Sequence, residues 1–422
     1  MKEKIGEILR TKTLRQSAIT TTGIIINGLI GWIFYILVAR NLGPSGFGIF
    51  SVATATIALL ASIFNVGVDT GLVRFVGKYI SSEKEKAFRF MKLGLKIKIL
   101  SGFLLITFGW FLVPFFSNTV LAKPELLFPL RLSLIGAFGW LLSFFVTSSF
   151  QAMQKFFSWV GLNIFMTSLR LFAILGLIYF GVSNVNFALY AYIYSPFIGF
   201  LIGITFLPKF FKVKNEGSVA QEFFHYNKWV AVFTVIAAVS SRLDTYLSTR
   251  LLTLSDLGIY SVANNLSSIV SEIVLALATV VAPKLASFVG NVDAKRYLKK
   301  LQLFVLALAI VGVIFGIPLS YYVIPKFYGL SYVPSILPFS ILLVSRAIFL
   351  ISVPVHTSIF YYFSKPKVFV FVGLGQIFLV GTLGWYAISS YGYMGAAFTM
   401  LVGNLFNFVI PGIWVLNKFR RK

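Results

Sequence analysis

Three arginines interrupt long apolar stretches of the chain: Arg170, Arg242 and Arg346. A guanidinium stays charged in almost any setting, and its planar fork matches two oxygens of a phosphate. Inside hydrocarbon such a group costs at least about 2.5–3.5 kcal/mol, so it faces a wet cavity or an internal partner. The chemistry open to these residues is recognition of a phosphate-bearing cargo; the plainer alternative is an ion pair within the bundle. Two acids, Asp244 and Glu272, share the apolar surroundings. Asp244 follows Arg242 by two residues, about 200° around a helix, so the two side chains cannot share a face. Each acid has two readings: it takes up H+ or Na+, or it balances an arginine.

These residues act only through the elements that carry them. The 422 residues are 58% hydrophobic and 12% charged, where a soluble domain averages about 45–50% apolar and about 25% charged. The apolar residues fall in runs of about twenty, the length a helix needs to cross a bilayer. Twelve such runs lie near 17–38, 46–66, 99–116, 128–150, 159–181, 186–207, 229–249, 257–280, 301–324, 334–356, 368–389 and 393–416. The first is longer than the apolar core of a signal peptide and lacks a cleavage site, so it is expected to remain as a span. Helix rise then places Arg170 and Arg346 near the bilayer midplane, Arg242 toward the outer half of span 7 and Glu272 in the inner half of span 8. With no cysteine, disulfides and thiolate metal sites are excluded. The two histidines, His225 and His356, leave little for a metal, and no catalytic residue, metal or cofactor is expected beyond a coupling H+ or Na+.

Orientation follows from lysine and arginine in the short loops. The termini and the loops after even-numbered spans hold 29 of the 37 basic residues, and the loop from Arg74 to Lys98 alone holds eight. The other face holds Arg40, Lys123, Arg131, Arg250 and Lys326. Both termini are therefore expected in the cytoplasm, with the chain in the cell membrane. The net charge of +25 reads as this topology signal, with anionic lipid headgroups as its partner and no nucleic acid.

The phrase ARNLGPSGFGIFSVA at 39–53 returns as TRLLTLSDLGIYSVA at 249–263, with eight of fifteen positions identical. At the same offset Arg74 faces Lys284, Glu83 faces Asp293 and Arg89 faces Lys299. The unit repeated is a whole six-span bundle. An even number of spans inserts both copies the same way up, giving a parallel repeat. The fold class expected is an all-α polytopic membrane protein with twelve transmembrane helices in two parallel-repeat lobes. The lobes are 1–208 and 229–422, joined by a cytoplasmic linker at 209–228. Two such lobes suit a transporter whose site lies where they face each other.

LRQSAITT before span 1, LVARNLGPSGFGIFSVA between spans 1 and 2, and FNVGVDTGLVRFVGKYI at the end of span 2 resemble the Wzx-type polysaccharide flippases. These belong to the multidrug/oligosaccharidyl-lipid/polysaccharide exporter superfamily. The resemblance implies a V-shaped pair of bundles around a central cavity, alternating access, and movement of a lipid-diphosphate-linked oligosaccharide to the outer leaflet. It also implies membrane lipids and polysaccharide-assembly proteins as partners. The lipid II flippases of the superfamily have two further spans, absent here. Span 1 also lacks the proline associated with the drug-extruding branch.

For such a cargo Arg242, Arg346 and Arg170 are the expected cavity cations. Arg74 and its repeat partner Lys284 offer one cation per lobe where span 2 and span 8 reach the cytoplasm, unless they are ordinary positive-inside anchors. Asp69, beside Arg74, joins Asp244 and Glu272 as an ion-coupling or charge-balancing acid. A cation-coupled exporter of drugs or metabolites is the alternative within transport. A membrane-embedded glycosyl polymerase or ligase is the enzyme alternative. Such an enzyme needs a large external loop with acid–base residues, whereas the longest, 117–129, offers only Lys123 and Glu125. An ATPase is excluded for want of a phosphate-binding loop.

Overall fold

The computed structural model describes residues 12–420 except 215, 216, 287, 289 and 366. The basic residues Lys2, Lys4, Arg10, Arg421 and Lys422 lie outside the described residues. Among those described, every regular element is helical. Among the described residues, ten helical stretches are long and apolar enough to cross a membrane, and two of them are long enough for two crossings: Ile19–Phe64 has 46 residues and Lys367–Arg420 has 54. At 1.5 Å per residue these are about 69 and about 81 Å of helix, against about 30 Å of hydrocarbon.

Each long stretch contains one glycine with non-helical backbone. In α1 (Lys12–Phe64) it is Gly43, φ 66° and ψ 178°. Its positive φ favours glycine, and Pro44, whose lack of an N–H costs nothing in the first turn of a helix, begins the next arm. In α14 (Val368–Arg420) it is Gly392, φ 59° and ψ −140°. Around Gly392, Gly375 packs on Phe406, Gly384 on Thr399 and Gly395 on Ala387, and every pair is centred between residues 390 and 392. The two arms are therefore antiparallel. Divided at Gly43 and Gly392, the ten stretches give the twelve spans expected.

By internal contacts the chain forms two compact units, Met1–Asn41 with Val52–Ala238 and Leu42–Ser51 with Val239–Lys422. This partition differs from a division at a linker. Residues 42–51 group with the second unit through a close crossing of the two repeated phrases, and 217–238 group with the first.

The first unit holds most of α1, then α2 (Val68–Tyr79), α3 (Lys84–Phe115), α4 (Leu127–Ala152), α5 (Phe156–Tyr179), α6 (Val185–Thr205) and α7 (Gly217–Ser240). Positive φ at Val66 and Gly67 bends span 2 into α2. An aromatic core locks the unit at that end. Phe75 stacks on Phe90 at 4.7 Å between centroids, Tyr79 on Phe90 at 5.9 Å, and Phe223 tilts against Phe90 at 6.0 Å. Phe223 comes from α7, so the second part of the expected linker is helix whose aromatic side chain belongs to a core. Elsewhere small residues admit large ones: Gly102 receives Phe138, Gly136 receives Ile57, and Gly199 receives Met166. Such contacts supply packing where lipid removes the hydrophobic drive between helices.

The second unit holds α8 (Leu243–Leu251), α9 (Leu254–Ser267), α10 (Ile269–Ala286), α11 (Asn291–Val323), α12 (Ile336–Ile351), α13 (Val353–Thr357) and α14. The duplication extends to its irregularities. Span 3 ends in a single π turn at Phe116–Val120, and span 9 ends in one at Ile324–Tyr328. It fails where span 7 breaks between α7 and α8 at Ser241 and Arg242, whereas the matching residues of span 1, Gly31 and Trp32, lie inside continuous helix, and again where span 10 breaks at Ser352, whereas Leu142 lies inside α4.

Candidate functional site

Arg170 sits on α5, nine residues from Tyr179 and fourteen from Phe156, or about 14 and about 21 Å along the axis. It is buried at 9% exposure. Three aromatic rings surround its guanidinium: Tyr192 at 4.9 Å, Trp140 at 5.6 Å and Phe34 at 5.9 Å. They come from α6, α4 and α1, so four helices build the cage. Arg170 Nη2 donates to Thr167 Oγ1 at 2.8 Å, and Thr167 Oγ1 donates to Asn27 Oδ1 at 2.7 Å. Nε has no hydrogen-bond partner, and among the described residues no carboxylate lies within ion-pair distance. Ring quadrupoles hold a cation without neutralising it.

In the second unit Arg346 lies sixteen residues from either end of the apolar stretch Leu330–Tyr362. Its Nη2 donates to Asn264 Oδ1 at 3.1 Å, and its Nε is buried without a hydrogen-bond partner. Asp244, 3% exposed, accepts a 2.8 Å hydrogen bond from Tyr260 Oη. Tyr260 and Asn264 stand one turn apart on the same face of α9. That helix therefore brings Asp244 and Arg346 into one polar cluster without an ion pair between them. Arg242 caps α8 at the break in span 7 (φ −125°, ψ −2°) and is half-buried. Glu272 is exposed on α10, and exposed Lys284, further along α10, lies 5.3 Å from the centroid of Phe288. Neither joins the cluster.

The third constellation lies where α2 follows span 2. Lys98 is wholly buried; its Nζ lies 2.8 Å from Asp69 Oδ1 and donates to Asn65 Oδ1 at 2.7 Å. Hydropathy and loop position assign Lys98 to the cytoplasmic basic loop, and the structure corrects that. The bend at Val66 and Gly67 sets Asp69 against α3, and the carboxylate draws the ammonium inside. Arg74, exposed, covers the ring of Tyr226 with Cζ 4.1 Å from its centroid. Asp69 and Arg74 line one cavity of about 520 Å³ together with Thr70, Ser148, Gln151 and Tyr226. Among the described residues no three acids or histidines are grouped to hold a metal ion.

Sequence patterning singles out Arg170, Arg346, Asp244 and Asp69 but misses Lys98, Tyr260, Tyr226 and Gln151. A lysine one residue before an apolar run looks like a loop lysine, and one tyrosine among 19 carries no mark. Amides also join helices: Asn27 accepts from Thr167, and Asn404 Nδ2 donates to Ser345 Oγ at 2.9 Å.

Twelve apolar spans arranged in this way make the chain a multi-pass membrane protein. Its fold is that of known transporters. A multidrug resistance MATE family transporter of the MOP superfamily, in an inward-facing conformation, matches with a TM-score of 0.77 at 12% identity, covering 93% of this chain and 95% of that one. Lipid II flippase MurJ, in an inward closed conformation, matches with a TM-score of 0.71 at 15% identity, covering 95% and 88%. A Shigella flexneri protein named "Putative O-antigen transporter" is 22% identical over 379 residues, 85% of this chain and 87% of that protein. Residues 13–289 match the family described as polysaccharide biosynthesis protein, and the chain belongs to that family.

Proposed function

We propose that the protein carries a lipid-diphosphate-linked oligosaccharide from the cytoplasmic to the outer leaflet for cell-surface glycan assembly. The observation that carries this reading is Arg170: a buried cation, deep in its span, caged by aromatic faces and with no carboxylate to cancel it. Arg346, bonded to an amide rather than an acid, supports it from the second unit. A diphosphate supplies the counter-charge that both side chains lack. An exporter of cationic drugs calls for an acid that is buried in a span and holds no partner, whereas Asp244 is engaged by Tyr260 and Asp69 is paired with Lys98.

The basic loops support an orientation with both termini in the cytoplasm, in which Arg74 and Lys284 lie on the side from which the cargo enters. Arg242, at the break in span 7, is a further contact for the diphosphate, and Lys284 meets it at the cytoplasmic end; Arg74, which shares a cavity with the Asp69 carboxylate, is left to the glycan. Asp244 is the acid best set to couple transport to H+ or Na+, because it is buried beside a hydroxyl and not paired with a cation. Polysaccharide-assembly proteins are its companions in the cell.

The test is leaflet translocation of a lipid-diphosphate oligosaccharide in reconstituted vesicles. Arg170→Lys keeps the charge but loses the planar stack on Tyr192, and should slow transport. Arg170→Ala should slow it at least about tenfold, since a charged hydrogen bond is worth about 1.5–3 kcal/mol. Normal transport by Arg170→Ala at a normal protein level would overturn the assignment.

A further inference from the structure

We infer that the cavity between α2, α4 and α7 is a subsite for an uncharged sugar ring, separate in chemistry from the arginines that meet phosphate. The inference rests on the proposed glycan cargo and adds where the glycan is read. The lining carries one acid and one base, Asp69 and Arg74, so its formal charge is zero. The wholly buried Lys98 ammonium is spent on two partners inside the protein, 2.8 Å from the Asp69 carboxylate and 2.7 Å from Asn65. Asp69 lines the cavity, and its side chain is 21% exposed. A phosphate oxygen brought there would be repelled by it.

A sugar hydroxyl donates one hydrogen bond and accepts others. The walls offer what such groups need: a carboxylate acceptor, the guanidinium donors of Arg74, the amide of Gln151 and the hydroxyls of Thr70 and Ser148. Among the described residues, the side chains of Thr70, Arg74, Ser148 and Gln151 form no hydrogen bond with each other or with neighbours, so this capacity is open. Val73 and the ring of Tyr226 supply the apolar wall that the C–H face of a pyranose requires. The guanidinium on Tyr226 fixes that ring in place. A volume of about 520 Å³ accepts a single pyranose with room for its neighbour in the glycan.

The chain has no cysteine, so one introduced thiol reports cleanly. Thr70→Cys, at an exposed position on the wall, is labelled with a maleimide in the purified full-length protein. The reaction is run with methyl pyranosides of neutral hexoses, 6-deoxyhexoses and N-acetylhexosamines, and with inorganic pyrophosphate. At least one pyranoside should slow labelling about threefold when present at about twice its Kd, and pyrophosphate should not. Adding Gln151→Ala should remove the protection, and a control thiol at Ser81, outside the cavity, should be unaffected throughout. Protection by pyrophosphate alone, by nothing in the panel, or undiminished in Gln151→Ala overturns the subsite. Failure of the wild-type protein to translocate a lipid-diphosphate oligosaccharide overturns the transport reading instead, whatever the thiol reports.

Discussion

Gly48 and Gly258 occupy the same place in the two repeated phrases, and each lies under the backbone of the other phrase. A Cβ on Gly48 would stand 2.1 Å from the carbonyl oxygen of Leu254, and one on Gly258 would stand 1.9 Å from that of Pro44. Pro44 and Leu254 are themselves repeat partners, so the contact is reciprocal. It explains why residues 42–51 belong with the second unit.

A methyl group at either glycine must push backbone, which does not yield as a side-chain tip does. Gly48→Ala or Gly258→Ala should destabilise the crossing by about 1–3 kcal/mol, the usual range for overpacking. Leu257, fully buried on α9, reports the outcome. A thiol placed there by Leu257→Cys should react slowly with maleimide in the parent and several-fold faster beside either alanine. Unchanged reactivity in both would show that the crossing tolerates a side chain.

The Asp69–Lys98 pair lends itself to a double-mutant cycle. Asp69→Leu leaves a wholly buried ammonium without its counter-ion and should lower stability by about 3–5 kcal/mol. Lys98→Met in the same chain should restore most of that loss, because two apolar groups replace the pair. The measurement is the thermal unfolding midpoint of the detergent-solubilised protein. Additive losses would mean that the two charges do not interact.

Tyr260 gives Asp244 its one strong donor. Tyr260→Phe should cost about 1–3 kcal/mol, the range for stranding a buried polar group. Asp244→Asn, which keeps an acceptor for the tyrosine, should cost less. Thermal melting of both variants checks the order, and the reverse order would move the carboxylate's main support elsewhere.

Orientation is tested by single thiols and an impermeant reagent added outside cells. Asn118→Cys and Asn184→Cys should label, whereas Ser82→Cys and Ser218→Cys should not. Ser117 is unsuited to this use: it is buried, with its hydroxyl 3.1 Å from Asn118 Oδ1 and 3.3 Å from the carbonyl of Lys123. Labelling in the opposite pattern would invert both termini and the direction of transport.

The spans and the duplication were legible because hydropathy and self-similarity are properties of the chain read along its length. Arg170 stood out for the same reason, as a charge in an apolar run. Lys98 did not, because its fate depends on Asp69, 29 positions earlier, and on a bend at Val66 and Gly67 that brings α2 against α3. The helix that begins at Gly217 was hidden in a polar, charged segment typical of linkers, and only the fit of Phe223 among Phe75 and Phe90 gives that segment a core. The break in span 7 left no sign in the sequence either, since its partner residues in span 1 form unbroken helix. Tertiary contact decides such cases, and the repeat supplies two examples of one pattern resolved differently.

The aromatic cage of Arg170 has an electrical consequence. Rings hold the guanidinium through their quadrupoles and add no counter-charge, so the residue remains a fixed positive site inside the bilayer. An anionic cargo is neutralised while it rests there, but the arginine stays with the protein when the cargo leaves. Apart from any H+ or Na+ that moves with Asp244, the charge carried across in each cycle is therefore the cargo's own. With the cell interior negative, an outward-moving diphosphate gains about 2.3 kcal/mol per elementary charge for each 100 mV. For the proposed diphosphate cargo, membrane voltage then assists export, and the rate of translocation in vesicles should rise and fall with an imposed potential.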